Sequence, residues 1–219
     1  MPLVPGRLWR NDYESNDSAV VVMHDYNEGE MIARLTRLNR VGRAAFAAAC
    51  AERLAPLFLR YAATTEAADG AALRAIIDEV WRAVSGEDCD LRPLQAAAED
   101  LVPDDEGEWS TQTAYAQNAA ACSAYAVRAW LTDDPQEAAW AARQLYEAAD
   151  HAAQQIVKAA GIRPADLERM ILGHDLVQAA LGAIEDDLTS VEGDNDVTAL
   201  ARRAADEGMS MARRKRPTR

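Results

Sequence analysis

The spacing and abundance of alanine most limit what this chain can fold into. Segments such as RAAFAAACAERLAPLFLRYAA (43–63) and AYAQNAAACSAYAVRAW (114–130) are apolar around most of a helical circumference. Alanine is the best helix former and makes up roughly a fifth of the sequence. A helix that is apolar nearly all round must be covered by other helices. Small side chains also let helix axes approach toward the short end of the usual range of about 8–10 Å. The expectation is an all-α fold, a single-domain helical bundle of about seven helices with an N-terminal arm and a basic C-terminal tail. At 219 residues, such a bundle buries roughly 70% of the unfolded chain's surface, so no metal or disulfide is needed as a staple.

The chain divides into an arm (1–27), a helical domain (28–212) and a basic tail (213–219), the last expected to be disordered. The arm carries Pro2, Pro5, Gly6, the polar NDYESNDS segment and a β-prone run from Ala19 to Met23, too short to define a sheet. A short helix is expected over 30–38. The 43–63 helix places Phe46, Ala49, Cys50, Arg53, Leu54 and Leu57 at helical spacing, and Pro56 is expected to kink or end it near Arg53. Leu73, Ile76, Ile77, Val80, Trp81 and Val84 form an amphipathic stripe. Asp90 caps a short helix with Pro93 in its first turn, and 104–108 form a solvated loop. The central helix starts near Ser110 or Thr111, with Tyr115, Asn118, Cys122, Tyr125 and Ala129 on one face. It is expected to be the middle rod of the bundle.

Asp134-Pro135-Gln136-Glu137 supplies an N-cap, a first-turn proline and a capping-box glutamate. The helix it opens runs to about Ala160, with Gly161 as its stop. Its buried stripe is expected to be Ala138, Ala141, Leu145, Ala148, Ala152 and Ile156. Pro164 begins a further helix with Val177, Leu181, Ile184, Leu188 and Val191 on its stripe and a possible break at Gly173. A last helix covers about 197–211.

The formal charge is −13. Such a surface repels phosphate backbones, so nucleic acid is not expected on the body of the domain; cationic partners are. Cys50, Cys89 and Cys122 show no CxxC or CxxH spacing, so neither a zinc knuckle nor a disulfide framework is expected. No basic patch precedes an apolar run at the start, and no stretch nears the roughly eighteen apolar residues of a membrane span. A cytoplasmic protein without a membrane role is the expectation.

Each candidate chemistry has a plainer alternative. A buried Asn118 without partners would cost about 1–3 kcal/mol, so it reads first as a polar tether between helices, with Tyr115 and Tyr125 nearby. Glu147 and His151 (i, i+4) read as an exposed face with Arg143 one turn before. His174-Asp175 is an acid–base pair at a helix break, but a helix-start histidine followed by a first-turn acid explains it as well. His24 has no evident partner. Glu147-Ala-Ala-Asp150 is an ExxD, yet no ExxE exists in the chain, which counts against helical nucleotide pyrophosphatases. The acidic cluster Glu185, Asp186, Asp187, Glu192, Asp194 and Asp196 lacks the ligand spacing of an EF-hand and reads as a surface for a basic partner. Phosphate-loop, dinucleotide, nucleophile-elbow and zinc-protease motifs are absent. No metal ligand set, cofactor or catalytic residue is expected.

Several stretches resemble a known family. RAAFAAACAERLAPLFLRYA is similar to the opening helix of the YjaG-like family, bacterial helical proteins of unknown function, where an aromatic and an alanine-rich run precede Glu-Arg-Leu-x-Pro. LRAIIDEVWRAVSG, DLVPDDEGEWS, AYAQNAAACSAYAVRAWLTDD and HDLVQAALGAIEDDL follow in matching order. The resemblance covers residues 38–190 and leaves the arm and the last helix outside. It implies an all-α fold, carries no catalytic residue over, and through the tie of some members to signalling histidine kinases implies regulatory binding.

The functional expectation is a non-enzymatic protein-binding module. It takes one of two forms, an immunity protein that blocks a cationic toxin or a signalling adaptor. The competing expectation is a small-ligand- or metal-binding helical enzyme with its site between central helices, around Tyr115, Asn118, Tyr125, His174 and Asp175.

Overall fold

Short polar residues placed just before apolar periodicity set where the helices begin. The side chains of Asn27, Asn39, Asp69, Ser110 and Asp134 each accept a backbone N–H from the first turn that follows, a contribution of about 1 kcal/mol apiece. A computed structural model describes residues 23–65, 68–103, 110–160, 164–193 and 196–214. Within them lie nine helices and no strand: α1 Glu28–Leu35, α2 Arg40–Ala62, α3 Gly70–Val84, α4 Arg92–Asp100, α5 Thr111–Thr132, α6 Pro135–Ala159, α7 Pro164–Leu172, α8 Asp175–Glu192 and α9 Val197–Arg214. The fold is all-α and a single domain. The count exceeds seven partly because Gly173 and His174 separate α7 from α8 completely. Gly173 N–H closes the last turn of α7 on the carbonyl of Arg169 (3.0 Å), and His174 turns to an extended conformation.

The middle rod is α2, not α5. Every residue from Ala44 to Ala51 is fully buried, and α2 packs against α3, α5, α6, α8 and α9. Its most extensive interface is with α5, whose buried face runs through Ala116, Ala119, Ala120, Ser123 and Val127. Tyr115, Asn118 and Tyr125 flank that face and are half-buried. Alanine lines both sides, and the two phenylalanines of α2, Phe46 and Phe58, are fully buried.

Pro56 neither ends nor breaks α2, which continues to Ala62. A proline inside a helix costs about 3 kcal/mol, but Leu54, Ala55, Leu57 and Phe58 around it are all buried. Burying such side chains contributes roughly 1.5–3 kcal/mol each for the larger ones, enough to offset the loss. On α6 the buried stripe shifts near the C-terminal end: Ile156 is 51% exposed, while Ala153 and Val157 are buried. There α6 turns from the main core to a smaller one shared with Ile171, Val177 and Leu181 of α7 and α8. Glu137 is not a capping-box residue either. Its carboxylate accepts from Arg128 Nε and Nη2 (3.1 and 2.6 Å) instead of reaching back to the cap.

Arg213 and Arg214, expected to open the tail, close α9. The β-prone run apart from Met23, the 104–108 loop, the Gly161 stop, Asp194 and residues 215–219 lie outside the described residues. Among the described residues, no helix is long and apolar enough to cross a membrane.

Candidate functional site

α9 docks on α2, and α8 on both α2 and α6; α8 and α9 meet each other chiefly where Arg203 reaches Asp187 and Ser190. Arg53 stands between them. It sits on the buried stripe of α2 and is 0% exposed. Its guanidinium donates to both carboxylate oxygens of Asp187 on α8, with Nη2 to Oδ1 at 3.0 Å, and Nε donates to Glu207 Oε2 on α9 at 2.8 Å. Nη1 also donates to the carbonyl of Ala49 (3.1 Å). Asp187, itself 0% exposed, accepts a further bond at 2.8 Å from Arg203 Nη2, which donates also to Ser190 Oγ (2.8 Å). Two arginines and two carboxylates cancel, as a buried charge cluster must. Burial works to lower the Arg53 pKa, but the carboxylate of Asp187 and then that of Glu207 hold it above its ordinary value.

Gly208 lets α9 come this close. A Cβ there would stand 2.9 Å from Arg53 Cα, 3.0 Å from its carbonyl oxygen and 3.1 Å from that of Glu52. Pro56 lacks the N–H that would bond the Glu52 carbonyl in a regular helix, so α9 lies against the place where the hydrogen-bond ladder of α2 is interrupted.

Above the cluster the splayed helices leave an open groove of about 400 Å³. Leu176, Ala179, Gly182 and Ala183 of α8 form one wall, Glu207, Ser210 and Met211 of α9 the other, and Arg53 the floor. Asp186 lies at the α8 edge, exposed, and its carboxylate makes no hydrogen bond or ion pair among the described residues. Glu207 keeps 43% of its side chain exposed even while bonded to Arg53. Apolar walls with a carboxylate on each side suit a cation on an aliphatic stem.

The constellation expected around Asn118 is not assembled. Tyr115, Asn118 and Tyr125 are on α5 and His174 and Asp175 precede and open α8. These two helices do not pack against one another, whereas α2 and α6 each pack against both. The Tyr115 ring meets His151 edge-on at 5.7 Å, and Tyr125 lies 5.5 Å from Trp140 with the Arg128 guanidinium 5.8 Å above its ring. Asn118 is half-buried and makes no side-chain hydrogen bond among the described residues, so it is not the tether the sequence suggested. His174 Nδ1 accepts from Leu176 N–H (3.2 Å) as the cap of α8, and Asp175 is exposed in the first turn. Glu147 accepts from Arg143 Nε (2.8 Å). The backbone of His24 is held at both ends by Gln178 (2.8 and 3.0 Å), a partnership the sequence did not reveal. Burial pushes the Cys50 and Cys122 thiols up, away from thiolate chemistry.

The acidic cluster likewise divides. Asp187 is a core residue and not part of a partner surface. Glu185 and Glu192 both grip Arg34 of α1, at 2.8 and 2.7 Å. Asp196 accepts from Ala199 N–H (3.0 Å) at the start of α9. Of the five members described, Asp186 alone is exposed without a partner. Among the described residues, no three His, Cys, Asp or Glu side chains gather into a metal-holding group.

Fold and site together define an all-helical protein with a charge-neutralised wedge beneath an open groove. The chain belongs to the family described as Protein of unknown function (DUF416), whose sequence model matches residues 30–210. That span takes in most of α9, which the resemblance over 38–190 had left out, and every groove residue but Met211. Among solved structures the chain is similar to the crystal structure of a DUF416 family protein from Shewanella baltica OS155, with a TM-score of 0.67 at 15% identity over 82% of this chain and 93% of that one. At that identity the likeness speaks for the fold alone. No curated protein matches the chain.

Proposed function

We propose that this protein is a non-enzymatic module that binds another, cationic protein in the cytoplasm. The observation that carries the reading is the α8–α9 groove, where an exposed, unengaged Asp186 borders apolar walls on a molecule of net charge −13. Of the other charged groups of the groove, Arg53 is held by Asp187 and Glu207, while Glu207 spends only Oε2 on Arg53 and stays 43% exposed. An acidic molecule gains fast association with a basic partner through long-range attraction. An immunity protein against a cationic toxin and a signalling adaptor are the two forms this module takes.

The test is cross-linking of the tagged full chain in its native cell, followed by size-exclusion chromatography of the product. A basic protein in stoichiometric complex is expected, with association slowing as salt rises beyond the screening range. Large, saturable thermal stabilisation by a metal, nucleotide or metabolite, with no stoichiometric protein recovered, would replace this reading with the ligand-binding or enzymatic one.

A further inference from the structure

The protein-binding reading can be taken to a particular surface, and the inference below rests on that reading. Two helices that diverge over a third leave a trough of the kind into which a ridge of helical side chains fits. Ala179 and Ala183, one turn apart on α8, keep one wall low, so a backbone can come near. Met211 on the other wall has the flexible, polarizable side chain that adapts to an incoming surface. Charge selects the occupant. Asp186 and Glu207 face the trough from opposite walls, and the single cation lining it, Arg53, is already held by Asp187 and Glu207. Two carboxylates against one engaged cation favour a positive group and repel a negative one.

We propose that the α8–α9 groove receives a short helical segment of a partner protein, whose arginine or lysine reaches Asp186 and Glu207 while neighbouring apolar side chains lie on Leu176, Ala183 and Met211. The aliphatic stem of such a residue rests on apolar surface while its charged end meets the carboxylates.

The test uses amide NMR of the full chain with two probes. One is a short capped alanine-based helix carrying one arginine between two leucines; the other is arginine alone, acetylated and amidated. The helix is expected to shift the amide signals of Ala179, Ala183, Asp186, Ser210 and Met211 saturably, and to bind about tenfold more tightly than the single residue. Asp186→Lys, whose fold is checked by its melting transition, should weaken the helix by about tenfold, and Asp186→Asn by less. A glutamate-bearing helix that binds equally well, or shifts scattered away from the groove, overturns the proposal. Equal affinity of the single residue and the helix overturns it too, by making the groove a small-ligand site. Signals of residues 1–22 that move in Asp186→Lys without any probe would give the groove to this chain's own segment. Survival of a native complex in Asp186→Lys removes this inference and leaves the module reading standing, whereas absence of any protein partner removes the module reading.

Discussion

Gly208 of α9 lies against the backbone of Arg53 on α2 so closely that a single added carbon would stand 2.9 Å from the Arg53 Cα. On an open helix surface, glycine to alanine stabilises by about 1 kcal/mol. Here the atoms in the way are backbone, which cannot swing aside, and overpacking of this kind costs about 1–3 kcal/mol. Gly208→Ala should therefore be destabilising in a urea titration despite the better helix propensity. A variant more stable than the parent would show that α9 does not rest on α2 in this way.

The cluster under Gly208 makes a second, asymmetric prediction. Asp187→Ala leaves the guanidinium of Arg53 buried with only Glu207 as a charged partner, and removing one side of a buried pair costs about 3–5 kcal/mol. Replacing both, as in Arg53→Met with Asp187→Leu, takes the buried charge away altogether. Arg203 and Glu207 keep 36% and 43% of their side chains exposed, so water can serve them once their partners are gone. The double variant should recover most of what the single one loses in chemical denaturation. If the two variants prove equally unstable, desolvated charge is not what dominates at this position.

Glu137 and Glu192 should tilt stability with pH in opposite senses. Burial pushes the Glu137 carboxyl above the usual glutamate range against the pull of Arg128, and its Oε2 is buried without a hydrogen bond among the described residues. A carboxyl raised by folding holds its proton more tightly in the native state. Its contribution is full below the unfolded pKa and is lost as pH rises through the folded one. The hydrogen bond from Arg34 holds Glu192 below that range. Its contribution is present above the unfolded pKa and is lost as pH falls through the folded one. Urea titrations across the acidic range should find that Glu137→Gln declines less than the parent on the rising side, and that Glu192→Gln is less sensitive to acid. Curves for both variants parallel to the parent would contradict these assignments.

How far the sequence could reach is clearest at Arg53 and Asp187. The α3 stripe of Leu73, Ile76, Ile77, Val80 and Val84 is buried as its period required, with Trp81 half-buried at its edge, because packing there has no competitor. Arg53 was visible on the apolar stripe of α2, and Asp187 falls with Ile184, Leu188 and Val191 on the buried stripe of α8. A charge on each of two buried stripes signals a partner across an interface. Joining the two requires knowing that α8 packs on α2, which local periodicity does not contain. The same limit hid the groove: it exists because α8 and α9 diverge over Arg53, a tertiary relation. The Asn118 face misled because three of its members, Tyr115, Asn118 and Tyr125, lie at the margin of the buried strip, where the helical period shows which residues share a face without showing how deeply they sink.

Tyr26 links the end of the arm to the bundle and gives the last prediction. Its ring stacks on Tyr146 of α6 at 4.8 Å between centroids and 10° between planes, beside the backbone anchorage of His24 on Gln178. Its hydroxyl is buried and has no hydrogen-bond partner among the described residues. Burial raises the phenol pKa well above its ordinary value, so the group stays neutral. The ring and the hydroxyl therefore act against each other. Stacking adds about 0.5–1.5 kcal/mol beyond the apolar area buried, while an unsatisfied buried hydroxyl costs about 1–3 kcal/mol. Tyr26→Phe keeps the ring and discards the penalty, so it should stabilise the fold by about 1 kcal/mol. Tyr26→Ala should destabilise it by about 1–2 kcal/mol, less than the loss of a core aromatic because Tyr26 is half-buried, and should speed hydrogen exchange at His24, whose N–H donates to Gln178. Loss of stability in Tyr26→Phe would mean that the hydroxyl has a partner in solution, most simply an ordered water between α6 and the arm.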